Sequence, residues 1–282
     1  MPTIEFTDRD PRARGQTATS ALARAAAATA QAPSVFTSQP WRWRITGNIG
    51  ELRADRKRQL DILDPDGRLL TVSCGAALHH ARTALAGAGV SVEVARLPEP
   101  AEPDLLARIQ VTGFATPEAA AIRRQRAMAL RRTDRRPFAD LPVPVPVLYE
   151  LRAVAEAEGA HLHLASPPDV VTLAVAAAGG ELLDRHARYA VLFTDADTPA
   201  AWLAAGEALS AVLLAATTER LAASPVSDVA EVPAARELVR GLLGGIGHPM
   251  LALCLGVPGD GTRPAGALRG APADVVDLEP ER

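Results

Sequence analysis

The sequence predicts an α+β protein built from two related halves. Three observations carry that expectation. Helix-like and short strand-like stretches alternate along all 282 residues, and the second half repeats the order of the first. The segment GAALHHARTA from Gly75 also superposes on GEALSAVLLA from Gly206, matching Gly, Ala, Leu and Ala at 75/206, 77/208, 78/209 and 84/215 with one offset of 131. Such a duplication makes one chain an intramolecular pseudo-dimer. Its expected halves are residues 1–115 and 116–282.

The elements follow in order. A first helix is expected over Thr17–Ala30, capped by Thr17 and stopped ahead of Pro33, because a residue before proline is steered away from helical geometry. Strands are expected at Arg42–Thr46, Leu52–Asp55 and Leu60–Leu63, the last ending in the turn Asp64-Pro65-Asp66-Gly67. Cys74–Ala88 reads as a helix apolar all round, followed by strands Ser91–Ala95 and Ala107–Thr112. Thr116-Pro117-Glu118 then opens a helix with a hydroxyl cap, a proline at its first position and an acid in its first turn.

The second half starts from the proline-rich link Pro142–Pro146 and a helix to Glu158, ended by Gly159. Strand His161–Ala165, helix Asp169–Leu183 and buried strand Tyr189–Thr194 come next. Thr198-Pro199 caps a long apolar helix, Ala200–Ala222, and Met250–Leu255 is the last core strand.

A chain of this length buries roughly three-quarters of its unfolded surface and can build its own core. The net charge of -3 gives no overall pull toward nucleic acid or an acidic membrane. The N-terminus is charged and polar where a signal peptide needs an apolar run, and no window reads as an uninterrupted membrane span. The expectation is a cytoplasmic protein with small-molecule partners, no membrane and no nucleic acid. Cys74 and Cys254 stand far apart in apolar or small-residue surroundings and are expected as buried free thiols. Lys57 is the only lysine and alanine is abundant; a GC-rich genome accounts for both.

Two segments carry candidate chemistry. The first, PSVFTSQPWRW from Pro33 to Trp43, gathers a turn, three hydroxyls, an amide and two of the three tryptophans. It fits either a loop holding a planar hydrogen-bonding ligand or a helix end leading into a strand whose inward face is Trp41, Trp43 and Ile45. The second, RRTDRRPF from Arg131 to Phe138, ends a stretch in which seven arginines and one aspartate occupy fourteen positions. Arginine forks match phosphate oxygens in bidentate geometry, while the alternative is a solvated basic helix face with Asp134 pairing locally.

Other groups point less clearly. His161 and His163 alternate on one strand face but lack a third ligand at a metal-binding spacing. His79 and His80 are adjacent, so they leave a helix in different directions and read as structural, and His248 sits in a glycine-rich turn. There is no GxGxxG, Walker loop, GxSxG or HExxH.

Taken together and in order, PSVFTSQPWRW, RRTDRRPF and WLAAGEALSAVLLAAT resemble the nitroreductase-like flavoproteins, specifically the Acg-type members that fuse two nitroreductase-like halves in one chain. The resemblance spans about Ala32 to Val276. It implies a nitroreductase-like fold and an FMN cofactor, with Arg131, Arg132, Thr133 and Arg135 near the phosphate and Pro33, Ser34, Val35, Thr37 and Gln39 near the flavin. Arg269 matches, loosely, a late basic residue that also approaches the phosphate. The implied activity passes hydride from NAD(P)H through flavin to a small-molecule electron acceptor, in a monomeric pseudo-dimer or a homodimer. Flavin storage without turnover and a scaffold without flavin are the alternatives. No catalytic side chain and no metal is implied.

Departures from the family pattern are local. Thr37 stands where the family carries Asn, and Phe36 where His is usual. The chain is also shorter than its relatives between Leu183 and Tyr189, in a region that lines or covers the family's flavin pocket.

Overall fold

The computed structural model describes residues 11–177, 184, 186–259 and 276–278. In chain order the elements are α1 (Pro11–Ala28), β1 (Trp41–Thr46), β2 (Ile49–Ala54), α2 (Arg68–Gly87), β3 (Val90–Arg96), β4 (Leu105–Phe114) and α3 (Ala119–Leu130). They continue with α4 (Val145–Ala157), β5 (His161–Leu164), α5 (Pro167–Ala176), β6 (Arg188–Thr194), α6 (Pro199–Thr218), β7 (Ala222–Val226), α7 (Asp228–Glu231), α8 (Pro233–Leu242), β8 (His248–Gly256) and β9 (Val276–Leu278).

The two sheets share one plan. The first has the order β3-β4-β2-β1 and the second β7-β8-β6-β5, so corresponding strands occupy corresponding places. Every neighbouring pair among these eight strands is antiparallel. The last described strand, β9, lies parallel to β1, with Val276 opposite Trp43. The fold is thus two α+β halves fused in one chain, with β9 stitched onto the sheet of the first.

Helices α2 and α6 are each 20 residues long and stand 131 residues apart at both ends. They cross at Gly75 and Gly206. A Cβ on Gly75 would collide with the Leu203 carbonyl oxygen, and one on Gly206 with that of Val72. Val72 and Leu203 are themselves related by the same offset, so the collisions are reciprocal. Only glycine lets the two backbones come this close, which is why the offset-matched pair is Gly on Gly.

Each sheet covers its own helix. The alternation in β1 turns Trp41, Trp43 and Ile45 inward onto α1 and α2, while Leu203 and Leu214 of α6 complete that core. Val72 of α2 completes the second core reciprocally, among residues of α4, α6 and the inner face of β6 and β8. The other face of the second sheet, Tyr189, Val191, Ala252 and Cys254, is covered by α5, α7 and α8. Burying one leucine such as Leu203 contributes about 1.5–3 kcal/mol. At the head of α2, buried Arg68 pairs with Asp197 and sits 5.8 Å over the Trp202 ring, pinning the halves together.

Several expectations are corrected. Leu60–Leu63 is a turn, because the Asp64 carboxylate folds back to accept the Leu69 and Leu70 N–H groups at 3.0 and 2.8 Å and cap α2. Helix α1 begins at Pro11, so Thr17 lies inside it. Helix α3 begins at Ala119 with Glu118 at its cap instead of Thr116, since β4 persists to Phe114 and Ala115 still donates to the Gly89 carbonyl. Helix α6 stops at Thr218 because Arg220 is left-handed, φ 60°, and Ala222 already belongs to β7. The expected helix Asp169–Leu183 is α5 to Ala176, and 178–183 lie outside the described residues.

Helix α6 also corrects the membrane reading of the sequence. It is long and apolar enough to cross a membrane, yet 72% of its apolar window is buried inside the protein. Both cysteines are free and buried, with the Cys74 thiol pushed up by desolvation.

Candidate functional site

The loop between α1 and β1 is held from behind. Trp41 Nε1 donates to Thr29 Oγ1 at 3.1 Å, and Gln39 Nε2 donates to the Ala30 carbonyl at 3.0 Å. The Gln39 N–H donates to Ser34 Oγ at 3.1 Å, and the Val35 N–H to Ser73 Oγ on α2 at 3.2 Å. Within this frame Phe36, Thr37 and Gln39 all take positive φ, 48°, 59° and 46°. A β-branched residue in that region is a true outlier. Backbone strain of about 1–3 kcal/mol per residue persists only where surrounding contacts over-determine it, and such strain gathers at ligand clamps.

The arginine segment reaches the same place from the other side. After α3 the chain forms a parallel bridge from Thr133 to Ala223 at the start of β7, and the Asp134 N–H donates to the Ala223 carbonyl at 3.2 Å. Arg131 is buried and donates Nη2 to the Gln31 carbonyl at 3.3 Å, so it braces the end of the Pro33 loop. Asp134 takes Arg136 in a two-pronged contact, Nε at 2.9 Å and Nη2 at 2.7 Å. That side-chain bond holds the Asp134 carboxyl below its usual range.

Between the two segments lies a cleft of about 320 Å³. Pro33, Ser34, Val35 and Thr37 line one side, and Arg131, Thr133 and Arg135 the other. Two of the expected residues, Arg132 and Gln39, do not line it. Arg132 turns away to give Nη1 to the Ala129 and Arg131 carbonyls at 2.9 and 2.7 Å, closing the C-terminal end of α3. Gln39 lies behind the loop as a brace, and Arg269 is outside the described residues.

The sequence reading missed the cleft's floor. Leu69, Val72 and Ser73 of α2, Leu209 of α6, Val226 and Leu251 supply an apolar base, with Ser227 and Asp228 at the β7–α7 junction. No periodic signal marks these residues, because they are ordinary core positions that happen to face a gap.

Four of the six histidines have partners within the fold. His79 and His80 both place Nδ1 on Ser210 Oγ, at 2.7 and 2.8 Å, so the expected divergence from the helix does not hold. His161 and His163 contact Asp195 and Asp169. Among the described residues no group of three side chains could hold a metal ion.

No family model matches the chain. The protein named "Putative NAD(P)H nitroreductase Rv3131" of Mycobacterium tuberculosis strain H37Rv is 32% identical over 282 residues, spanning 80% of this chain and 82% of its own. "Putative NAD(P)H nitroreductase acg" of the same strain is 30% identical over 305 residues, spanning 87% and 92%. The chain is an Acg-type member of the nitroreductase-like family. A solved structure, that of a "Putative NADH dehydrogenase/NAD(P)H nitroreductase" from Parabacteroides distasonis, is 19% identical and covers 51% of this chain and 92% of its own, at a TM-score of 0.46.

Membership in the nitroreductase-like family gives the strained loop a physical reading. The left-handed backbone at Thr37 is one that asparagine adopts far more readily than a β-branched residue. The Asn that the resemblance implies at this position suits the turn, and Thr37 keeps the turn at a cost.

Proposed function

We propose that this chain is an FMN-dependent NAD(P)H oxidoreductase acting on a small-molecule electron acceptor. One observation carries the reading: the Pro33–Thr37 loop and the Arg131–Arg135 segment, assigned by resemblance to the two ends of one cofactor, line a single cleft. The donor set suits FMN. Arg131, Thr133 and Arg135 give cations and a hydroxyl at one end for a dianionic phosphate. Ser34, Thr37 and Ser73 offer hydroxyls along the side for a polyhydroxy chain, and Leu69, Val72, Leu209 and Leu251 give a planar ring an apolar base.

Bound flavin would supply the redox chemistry, taking hydride from NAD(P)H and passing electrons onward. The protein's part is to bind, orient and keep water out. Charged hydrogen bonds of about 1.5–3 kcal/mol each make two arginine contacts worth roughly two to four decades of affinity. The duplication reading belongs here too: shifting Ser34 by the helix offset reaches Ala165-Ser166, which lacks the amide and tryptophans, so one complete site per chain is proposed.

The test is spectroscopic. The purified protein, with FMN added if needed, is expected to show a bound-flavin visible spectrum that NADH or NADPH bleaches anaerobically within seconds. A colourless protein that takes up no FMN contradicts the reading, and a bound spectrum that persists with both reductants contradicts turnover.

A further inference from the structure

We propose that a hollow on the α2–α6 interface, outside the flavin cleft, binds a small zwitterion whose carboxylate and ammonium ends are joined by a short apolar stem. The hollow measures about 410 Å³ and shares no lining residue with the cleft, so the proposal stands apart from the flavin reading. Helices α2 and α6 line it with their C-terminal halves. Helices α3 and α4 both pack on α6, and each adds its own side chains to the lining.

These helices bring opposite charges to one hollow. α3 contributes Arg123 and Arg124, together with Ala120 and Ala121 of a first turn that has no side-chain cap. The open N–H groups of a helix start favour an anion, and guanidinium forks match a carboxylate. α4 contributes Glu150, and the end of α6 contributes Glu219. Among the described residues none of these four charged side chains has a hydrogen bond or an ion pair. A ligand carrying one charge of each sign, held apart, completes both sets. Ala86, Val154, Ala157, Ala211 and Ala215 supply apolar lining for the stem between them.

The less exposed charged and polar groups of the hollow are already engaged. Arg82 Nη1 donates to Glu158 and Glu207 at 2.6 and 2.7 Å, and His79 Nδ1 lies 2.7 Å from Ser210 Oγ. Thr83 is the exception, and it is an independent sign of a ligand. It lines the hollow and is only 7% exposed. On the same two helices Thr71, Ser73, Thr217 and Thr218 turn their hydroxyls back onto the carbonyl four residues earlier. Thr83 makes no such bond, nor any other side-chain bond among the described residues. Gln125 of α3 donates to the neighbouring Ala84 carbonyl at 3.3 Å, which sets Thr83 beside the arginine helix. A buried hydroxyl left open there calls for an acceptor, and the ligand carboxylate supplies one.

Ligand-observed NMR titrations of the purified protein with ε-aminocaproate, caproate and hexylamine test the proposal. ε-Aminocaproate carries both charges and is expected to bind at least about tenfold tighter than either single-charge probe. Arg123→Gln combined with Arg124→Gln is expected to bring ε-aminocaproate down to the hexylamine value, and Glu150→Gln combined with Glu219→Gln to the caproate value. Thr83→Val is expected to weaken it about threefold or more. The four charged positions are exposed, so their variants are expected to keep the parent's urea midpoint. Caproate binding as tightly as ε-aminocaproate reduces the hollow to an anion site and overturns the proposal. So does a failure of all three probes to bind, and so does an ε-aminocaproate affinity that survives both pairs of changes, because the ligand then sits elsewhere.

Discussion

Val35 donates its backbone N–H to Ser73 Oγ at 3.2 Å, and the same hydroxyl donates to the Leu69 carbonyl at 2.7 Å. The strained loop is thereby tied to the helix that forms the cleft's floor. Ser73→Ala leaves the Val35 N–H without that partner. A hydrogen bond of about 1 kcal/mol corresponds to roughly fivefold in affinity, so FMN is expected to bind up to about fivefold more weakly, read by flavin fluorescence, and urea unfolding is expected to show a loss of about 1 kcal/mol.

Thr37 holds φ 59° with a β-branched side chain. Replacing it with asparagine relieves the conflict, and Thr37→Asn is expected to raise stability by about 1 kcal/mol. Urea unfolding measures this directly; an unchanged or lower midpoint would show that the left-handed turn is not strained.

Gly75 and Gly206 leave no room for a methyl group, because the atoms met are backbone. Gly206→Ala is expected to cost more than about 4 kcal/mol or to abolish folding, as overpacking against a rigid partner does. Gly113→Ala is the control, since its Cβ would meet only Ser91 Cβ at 4.0 Å. Comparable unfolding midpoints for the two variants would refute the close crossing.

His79 is buried at the α2–α6 interface, and desolvation, then the nearby Arg82 and Arg124 charges, lower its pKa to about 3. Below about pH 6.5 the unfolded chain's imidazole takes a proton that the folded one refuses until about pH 3. Stability therefore falls as pH drops through that window, by about 1.4 kcal/mol per unit. In His79→Gln this contribution disappears. Its loss of stability between pH 6.5 and 4.5 is expected to be smaller than that of the parent by about 2–3 kcal/mol in urea titrations.

Much of this architecture was legible in the residues, for reasons specific to them. The inward alternation of Trp41, Trp43 and Ile45 marked β1, and proline and glycine punctuation marked α4 and α6. The Gly75 and Gly206 match pointed to a duplication, while the close crossing that admits no side chain at either position shows only in the fold. β7 was hidden because Ala222–Val226 is small and contains Pro225, whereas α8 carries a helical apolar stripe, Ala235, Leu238, Val239 and Leu242, that was readable in the residues. At the site, residue types located both motifs, but only the folded chain separates Arg131 and Arg135 from Arg132. Adjacent arginines leave the backbone in different directions, and which one faces the cleft depends on the Thr133–Ala223 bridge.

That separation is the most direct test. FMN titrations of the parent, Arg135→Ala and Arg132→Ala proteins compare a cleft arginine with its neighbour at the end of α3. Arg135→Ala is expected to weaken FMN by about ten- to a hundredfold, and Arg132→Ala by about twofold at most. Equal losses, or a loss confined to Arg132→Ala, would contradict the placement of the flavin phosphate in this cleft.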